Sequence, residues 1–298
     1  MNEAASPRIP LRRATFWALL AVSFVLQVPL RRAIDRAKES AGESPGTSYV
    51  TSGRWLRRLS LGYEGLLADI YWTRAVQYYG RARLSKRSRF ERLGSLLRIT
   101  TTLDPHLLIA YRFGAIFLAE KPPGGAGRPD EAMQLLRRGI VANPDYWRLW
   151  EDLGFIQYWD LKDCAAAART FKTGSERPGA AIWMKTLAAA VAAKGGELRI
   201  SQALWLEIYR TAQNDSIRQS ALEHLAALKA EQEIQALNQL LAIYRRKEGH
   251  AAASFDELVS AGLLRAAPRD PAGTPLVVGP DGKARLGPGS PINLNLLQ

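Results

Sequence analysis

The sequence predicts an all-α protein: a helical-hairpin array that follows an N-terminal transmembrane helix and precedes a small C-terminal helix and β-hairpin. From Arg54 to about Glu248 the apolar residues mostly recur at intervals of three and four, as on one face of a helix. Segments rich in Pro, Gly, Asn and Asp interrupt this pattern, and each interval fits one helix and a short turn. Such spacing predicts paired antiparallel helices. The interrupting segments are LDP (103–105), KPPGGAGRPD (121–130), NPD (143–145), ERPG (176–179), KGGE (194–197) and QND (213–215).

The composition is that of an ordinary folded protein with an excess of positive charge. Of the 298 residues 47% are hydrophobic and 23% are charged, which gives ample material for a core. Cys164 is the single cysteine, so an intrachain disulfide and a Cys-based metal site are both excluded. The net charge of +13 favours anionic partners such as lipid headgroups, acidic proteins or nucleic acid. A solvated, arginine-rich surface would give the same charge.

Residues 14–30, ATFWALLAVSFVLQVPL, carry no formal charge and lie between two pairs of arginines. A helix of about 17 residues is the lower limit for crossing a bilayer. We therefore predict a transmembrane anchor, preceded by a basic tail at 1–13 and followed by a Ser/Gly/Thr-rich linker at 31–53. A signal peptide is the main rival, but no small–x–small cleavage site follows; a buried core helix would have unusually basic flanks. Arginines on both sides leave the orientation open, and we expect an inner-membrane protein whose bulk is periplasmic, with a cytoplasmic bulk as the alternative.

Small and bulky residues alternate at fixed offsets within the array. A small residue lets two helices approach closely, bulky residues fill the remaining gaps, and proline ends the second helix. The pattern resembles the tetratricopeptide repeat (TPR), a helix–turn–helix unit of 34 residues, over roughly residues 60–213. Two weaker units, one ending at Pro105 and one starting at Trp183, flank two clear ones. The clear units are carried by Ala110, Phe113, Gly114, Phe117, Ala132, Leu136, Gly139 and Pro144, and by Trp150, Leu153, Gly154, Ala167, Phe171, Gly174 and Pro178.

This resemblance implies a bacterial membrane-anchored TPR protein whose array covers residues 54–213. Such proteins bind partners in a concave groove lined by the first helix of each unit. A mixture of aromatic and charged residues in that position suits a protein or peptide ligand. Carried onto this chain, the groove would be lined by Tyr111, Arg148, Glu151, Phe155, Tyr158 and Lys185.

The segment after the array predicts a cap. Residues 214–248 predict capping helices, with Ile234, Leu237, Leu241 and Tyr244 forming an amphipathic stripe; a coiled-coil dimer is the alternative. Residues 249–298 predict a small C-terminal cap, with a short helix starting at Ser254, a β-hairpin and a disordered end. The helix, the DPAGTP turn at 270–275 and the hairpin are similar to the ends of major pseudopilins of type II secretion systems. A simple cap on the last helices would explain the same residues.

No catalytic, cofactor or metal motif is recognisable in the sequence. The three histidines are far apart, and no nucleotide-binding or hydrolase fingerprint is present. We therefore predict a non-enzymatic scaffold without cofactors that binds a protein partner in a bacterial envelope complex, such as a secretion or pilus-like assembly. The alternative is a polyanion or nucleic-acid binder, and anionic lipid is a further possible ligand of the same basic patch. That patch comprises Arg81, Arg83, Lys86, Arg87, Arg89, Arg92 and Arg98.

Overall fold

A computed structural model of the chain describes residues 53–84 and 90–297, together with the helical positions 22, 25 and 29. The chain divides into two units, residues 1–51 and 52–298, and the second unit holds nearly all of the described residues. Apart from those three positions and Gly53, the expected basic tail, transmembrane segment and linker lie outside the described residues. Within the described residues, no helix has the length and apolar character needed to cross a membrane.

The all-α class is confirmed. The described residues form eleven α-helices, a two-stranded antiparallel sheet and a terminal 3₁₀ turn. The predicted interrupting segments coincide with the breaks between helices. The helices are α1 (Gly53–Leu59), α2 (Glu64–Leu84), α3 (Leu93–Leu103), α4 (Leu108–Ala119), α5 (Pro129–Ala142), α6 (Trp147–Trp159), α7 (Cys164–Ser175), α8 (Trp183–Lys194), α9 (Leu198–Thr211), α10 (Asp215–Glu248) and α11 (Phe255–Ser260); the strands are β1 (Val277–Val278) and β2 (Ala284–Arg285), and the 3₁₀ turn is Leu294–Leu297.

Consecutive helices from α2 to α10 pack side by side in antiparallel pairs. In the α4–α5 pair the end of one helix meets the start of the next, where Arg128 N donates to Leu118 O at 2.7 Å. The other ends of the same helices meet where the Tyr111 ring lies against Gly139. The α8–α9 pair is also held by a hydrogen bond between its two helices, in which Ser201 Oγ donates to Ala189 O at 2.8 Å.

Glycines at the helix crossings allow this close packing, as the sequence predicts. The Phe171 ring of α7 lies directly against the Cα of Gly154 in α6, in the space that a Cβ would occupy. A Cβ on Gly139 would lie 2.8 Å from the Tyr111 ring. Ala132 and Ala167 are fully buried at equivalent crossings. These residues are packing residues, and their size sets the distance between helices.

The C-terminal residues pack on α10, a single helix of 34 residues. Tyr244 OH donates to Glu257 Oε2 at 3.1 Å, and Ala284 N in β2 donates to Asn238 Oδ1 at 2.8 Å. The predicted short helix and hairpin are present as α11, β1 and β2. The expected disordered end differs from the structure, because Ser290 Oγ donates to Asp270 Oδ2 at 2.5 Å and Leu297 packs against the core.

Candidate functional site

The first helices of two neighbouring hairpins, α4 and α6, flank an open groove of about 270 Å³. Its walls include three large apolar side chains, Ile116 from α4 and Phe155 and Trp159 from α6. Ile116 is 49% exposed and Trp159 is 60% exposed. A folded protein usually buries side chains of this size, so their exposure around one groove marks a candidate docking surface.

Aromatic side chains extend this surface from α4 towards α2. Phe113, 47% exposed, lies 6.4 Å from the Phe117 ring, and Phe117 stacks on Trp72 of α2 at 6.3 Å. The Phe117 ring also stacks on Tyr79 at 3.8 Å. Aromatic pairs in these arrangements attract each other beyond the area that they bury. These ring contacts therefore join α4 to α2 in one aromatic cluster.

A network of charged residues holds α4 and α6 at their groove-facing edges. Arg112 donates from Nε to Asp152 Oδ2 at 2.6 Å and from Nη2 to Asp152 Oδ1 at 3.1 Å. The carboxylate of Glu151 lies 3.9 Å from Arg112 and 3.7 Å from Arg148. A two-bond guanidinium–carboxylate contact fixes both distance and orientation. The network therefore sets the width of the groove.

Two acidic residues stand at the open end of the groove. Asp160 caps α6, and Glu120 follows the last residue of α4. Burial raises the pKa of Asp160 above its usual range, although nearby Lys121 and Lys162 act to lower it. Within the described residues, no basic group lies within 4.0 Å of the Asp160 carboxylate. A cation or a hydrogen-bond donor brought in by a ligand would stabilise this carboxylate.

The structure brings together three of the six expected groove residues. Arg148 and Glu151 contact each other beside Arg112, and Phe155 lines the groove. The prediction for Tyr111 is wrong, because this side chain is 2% exposed and lies in the core. Its ring packs against Gly139 of α5, so Tyr111 lies on the side of α4 opposite the groove.

The other two expected groove residues lie on the side of α6 and α8 away from α4. Tyr158 packs on the edge of Trp159, with the Lys194 amine 5.6 Å from its ring centre. Lys185 on α8 forms an ion pair of 2.6 Å with Glu207 on α9. The six residues therefore do not form one continuous surface.

The basic patch is spread over two helices. Lys86, Arg87 and Arg89 lie outside the described residues. Arg83 donates to Tyr79 OH at 3.2 Å at the end of α2, and Arg81 donates to Gln77 O on the same helix. Arg92 precedes α3, and Arg98 lies midway along it, where it donates to Ser95 Oγ at 3.1 Å.

Sequence reasoning missed Ile116 and Trp159, which line the groove, and Arg112, which binds the groove residue Asp152. A signal for Ile116 is present, since Ile109, Phe113 and Ile116 recur at helical spacing on the side of α4 opposite Tyr111. Arg112 has no local signal because its partner Asp152 is distant in sequence.

The groove offers contact area and a few fixed charges. Within residues 53–84 and 90–297, no group of three or more His, Cys, Asp or Glu side chains converges to hold a metal ion.

No protein-family model, curated protein or solved structure matches this chain.

Proposed function

We propose that this protein is a membrane-tethered scaffold of TPR-like helical hairpins that binds a segment of a partner protein in the α4–α6 groove. The observation that carries the proposal is the exposure of Ile116 and Trp159 around one groove. Residues 14–30 would anchor it in a bacterial inner membrane, with the array on the periplasmic side. It would then serve an envelope assembly of the secretion or pilus type.

Contacts between alternate helices support the repeat interpretation. First helices of successive hairpins touch, since Arg112 of α4 binds Asp152 of α6 and Trp147 of α6 lies 6.0 Å from Trp183 of α8. Second helices also touch, since Arg128 at the start of α5 donates to Phe90 O just before α3. Stacking of this kind, in which each hairpin contacts the next, is what turns hairpins into a superhelix with a concave face.

The chemistry of the groove favours a partner segment with a bulky apolar side chain beside a Lys or Arg. The apolar side chain would pack between Ile116 and Trp159, where burial contributes about 25 cal/mol per Å². The basic side chain would meet Asp160, which is partly buried and forms no ion pair among the described residues. Most of the binding energy would come from the apolar anchor, as at other protein interfaces.

A random peptide library displayed on phage tests the proposal without knowledge of the natural partner. The full chain, held in nanodiscs, would select peptides in which a large apolar residue stands next to Lys or Arg. Ile116→Asp would weaken the selected peptides at least about tenfold, because a charge would replace the apolar wall. Fluorescence anisotropy of the labelled peptides gives the affinities.

Val141→Asp is the matched control. Val141 is 83% exposed on α5, a helix that does not line the groove, and the same substitution there adds the same charge. This variant should bind the selected peptides as the unchanged protein does. Failure to enrich such peptides, or equal weakening by both substitutions, would exclude the α4–α6 groove as the binding site.

A further inference from the structure

A second cleft lies between α3 and α5, the second helices of two successive hairpins. Its volume is about 340 Å³. Leu97, Leu118 and Leu135 form an apolar floor and are almost completely buried. The walls carry three arginines: Arg98 from α3, and Arg137 and Arg138 from α5.

The arginines of this cleft have no anionic partner among the described residues. Among the described residues, no carboxylate lies within 4.0 Å of the three guanidinium groups. Glu131 also lines the cleft, but its carboxylate is bound by Arg128 at 2.8 Å and lies against the Cα of Gly94. The positive charge of the cleft is thus uncompensated within the described part of the chain.

Two of the arginines repel each other. Arg138 is exposed at the rim of the cleft, but the surrounding protein partly shields its guanidinium from water and so lowers its pKa, and the positive charge of Arg98 acts in the same direction. The Tyr111 hydroxyl acts in the opposite direction. Like charges held close together over an apolar floor are unfavourable unless an anion lies between them.

We propose that the α3–α5 cleft binds a phosphate group, presented by a small organic phosphate or by a phospholipid headgroup. Guanidinium groups offer paired N–H donors that match phosphate oxygens, and they remain charged at any physiological pH. The leucine floor suits the carbon part of such a ligand. A cleft of this size holds one headgroup, which favours a small ligand over a nucleic acid.

Protection from phenylglyoxal, which modifies arginine guanidinium groups, locates the binding site. The full chain in neutral detergent would be labelled with and without glycerol 3-phosphate or short-chain phosphatidylglycerol, and the modified residues read by mass spectrometry. We expect either ligand to protect Arg98, Arg137 and Arg138. Arg169 and Arg210, which are exposed on α7 and α9 and have no ion pair within the described residues, should stay unprotected.

Matched double variants then measure how much the cleft contributes. Arg98→Gln with Arg138→Gln should weaken binding of the better probe at least about tenfold, whereas Arg169→Gln with Arg210→Gln, which removes the same charge, should change it less than about twofold. Thermal unfolding of both variants shows whether they are folded. Arg138→Lys should fall in between, because it keeps the charge and loses the paired donors.

The outcomes separate the sources of the ligand and can overturn the site. Tighter binding of phosphatidylglycerol assigns the cleft to a lipid headgroup, and tighter binding of glycerol 3-phosphate assigns it to a soluble phosphate. If both double variants weaken probe binding equally, general surface charge rather than the cleft binds the probe, and this result would overturn the proposal. So would an oligonucleotide that binds far more tightly than either probe and protects the same arginines.

Discussion

Arg112 and Asp152 join the first helices of two successive hairpins by two hydrogen bonds, of 2.6 and 3.1 Å. The pair is largely buried, with side-chain exposures of 28% and 13%. The bond to Asp152 raises the pKa of Arg112, so the guanidinium stays charged at physiological pH. This contact connects the two walls of the groove.

Replacing Arg112 by Ala should lower the free energy of unfolding by about 1–3 kcal/mol at pH 7.5, because two adjacent carboxylates lose their counter-charge. The loss should be smaller at pH 4.5, where protonation begins to relieve Glu151, whose pKa is raised by burial. Urea unfolding at the two pH values, followed by tryptophan fluorescence, measures both. Arg210→Ala, on an exposed site without an ion pair in the described residues, is the control and should change the unfolding free energy little. An equal loss at both pH values would contradict the electrostatic explanation.

Glu151 should respond to pH in the opposite sense from most carboxylates. Burial raises its pKa, and neighbouring Asp152 raises it further, although Arg112 and Arg148 act to lower it. A carboxyl group whose folded pKa exceeds its unfolded value destabilises the fold as pH rises through that interval.

Glu151→Gln should therefore stabilise the protein at pH 7 relative to its effect at pH 3.5, where the carboxyl is protonated in both states. Thermal unfolding as a function of pH gives the comparison. A stabilisation that is the same at every pH would show that packing rather than ionisation is responsible. A loss of stability at pH 7 would show that the two arginines outweigh the burial.

Substitution by alanine should change the stability of the protein in opposite directions at Gly154 and Gly80. A Cβ at Gly154 would meet the Phe171 ring, whereas a Cβ at Gly80 in α2 would meet nothing within 4 Å. Gly154→Ala should cost about 1–3 kcal/mol, because the two helices must move apart. Gly80→Ala should stabilise by up to about 1 kcal/mol, since alanine has the higher helix propensity.

Denaturant unfolding measures both changes, and a second substitution identifies their cause. Phe171→Leu combined with Gly154→Ala should cost less than the sum of the two single changes, because the smaller side chain makes room for the new methyl group. Additive costs would show that Gly154 is required for a reason other than its contact with Phe171.

These glycines also indicate how much of the fold can be predicted from sequence. Helix breaks at Pro and Gly are local signals, and the small residue at Gly154 among bulky neighbours is enough to predict a close helix crossing. The side of a helix is harder to predict, because neighbouring residues point about 100° apart. If the repeat pattern is aligned with the sequence one position out of register, the prediction therefore places Tyr111 at the groove instead of its neighbour Arg112.

The candidate sites depend on contacts that have no local signature. Arg112 binds Asp152, and Arg98 lines the same cleft as Arg138, across about 40 residues of sequence in each case. Nothing in the spacing of charged residues along one helix predicts which charges of another helix they will face. The hairpin topology alone brings them together.

Asp270 holds the C-terminal turn and should control the stability of the last residues. The side chain is 4% exposed and accepts hydrogen bonds from Ala272 N, Thr274 N and Ser290 Oγ. Burial acts to raise its pKa, but these hydrogen bonds together lower it below the usual value. A depressed folded pKa contributes stability above the unfolded value, and that stability is lost as the pH falls through the folded pKa.

Asp270→Asn should therefore loosen residues 265–297 at pH 7 and have less effect near pH 3. Hydrogen exchange of the backbone amides of Ala272 and Thr274, read by mass spectrometry, gives the local stability at each pH. Ser290→Ala removes one of the three hydrogen bonds and should have a smaller effect in the same direction. Unchanged exchange in both variants would show that the turn is held by its backbone conformation alone.

The proposed membrane tether makes a prediction about the location of the whole array. A reporter enzyme that is active only outside the cytoplasm, fused after Gln298, should be active in a bacterial host, and a reporter active only inside should not. Deletion of residues 1–30 should abolish that activity and release the protein from the membrane fraction, because the uncharged run of residues 14–30 is the proposed anchor. Adding a charge to the run by Leu20→Arg should impair insertion in the same way. Activity of the inside reporter would place the α4–α6 groove and the arginine cleft in the cytoplasm and would exclude a periplasmic partner.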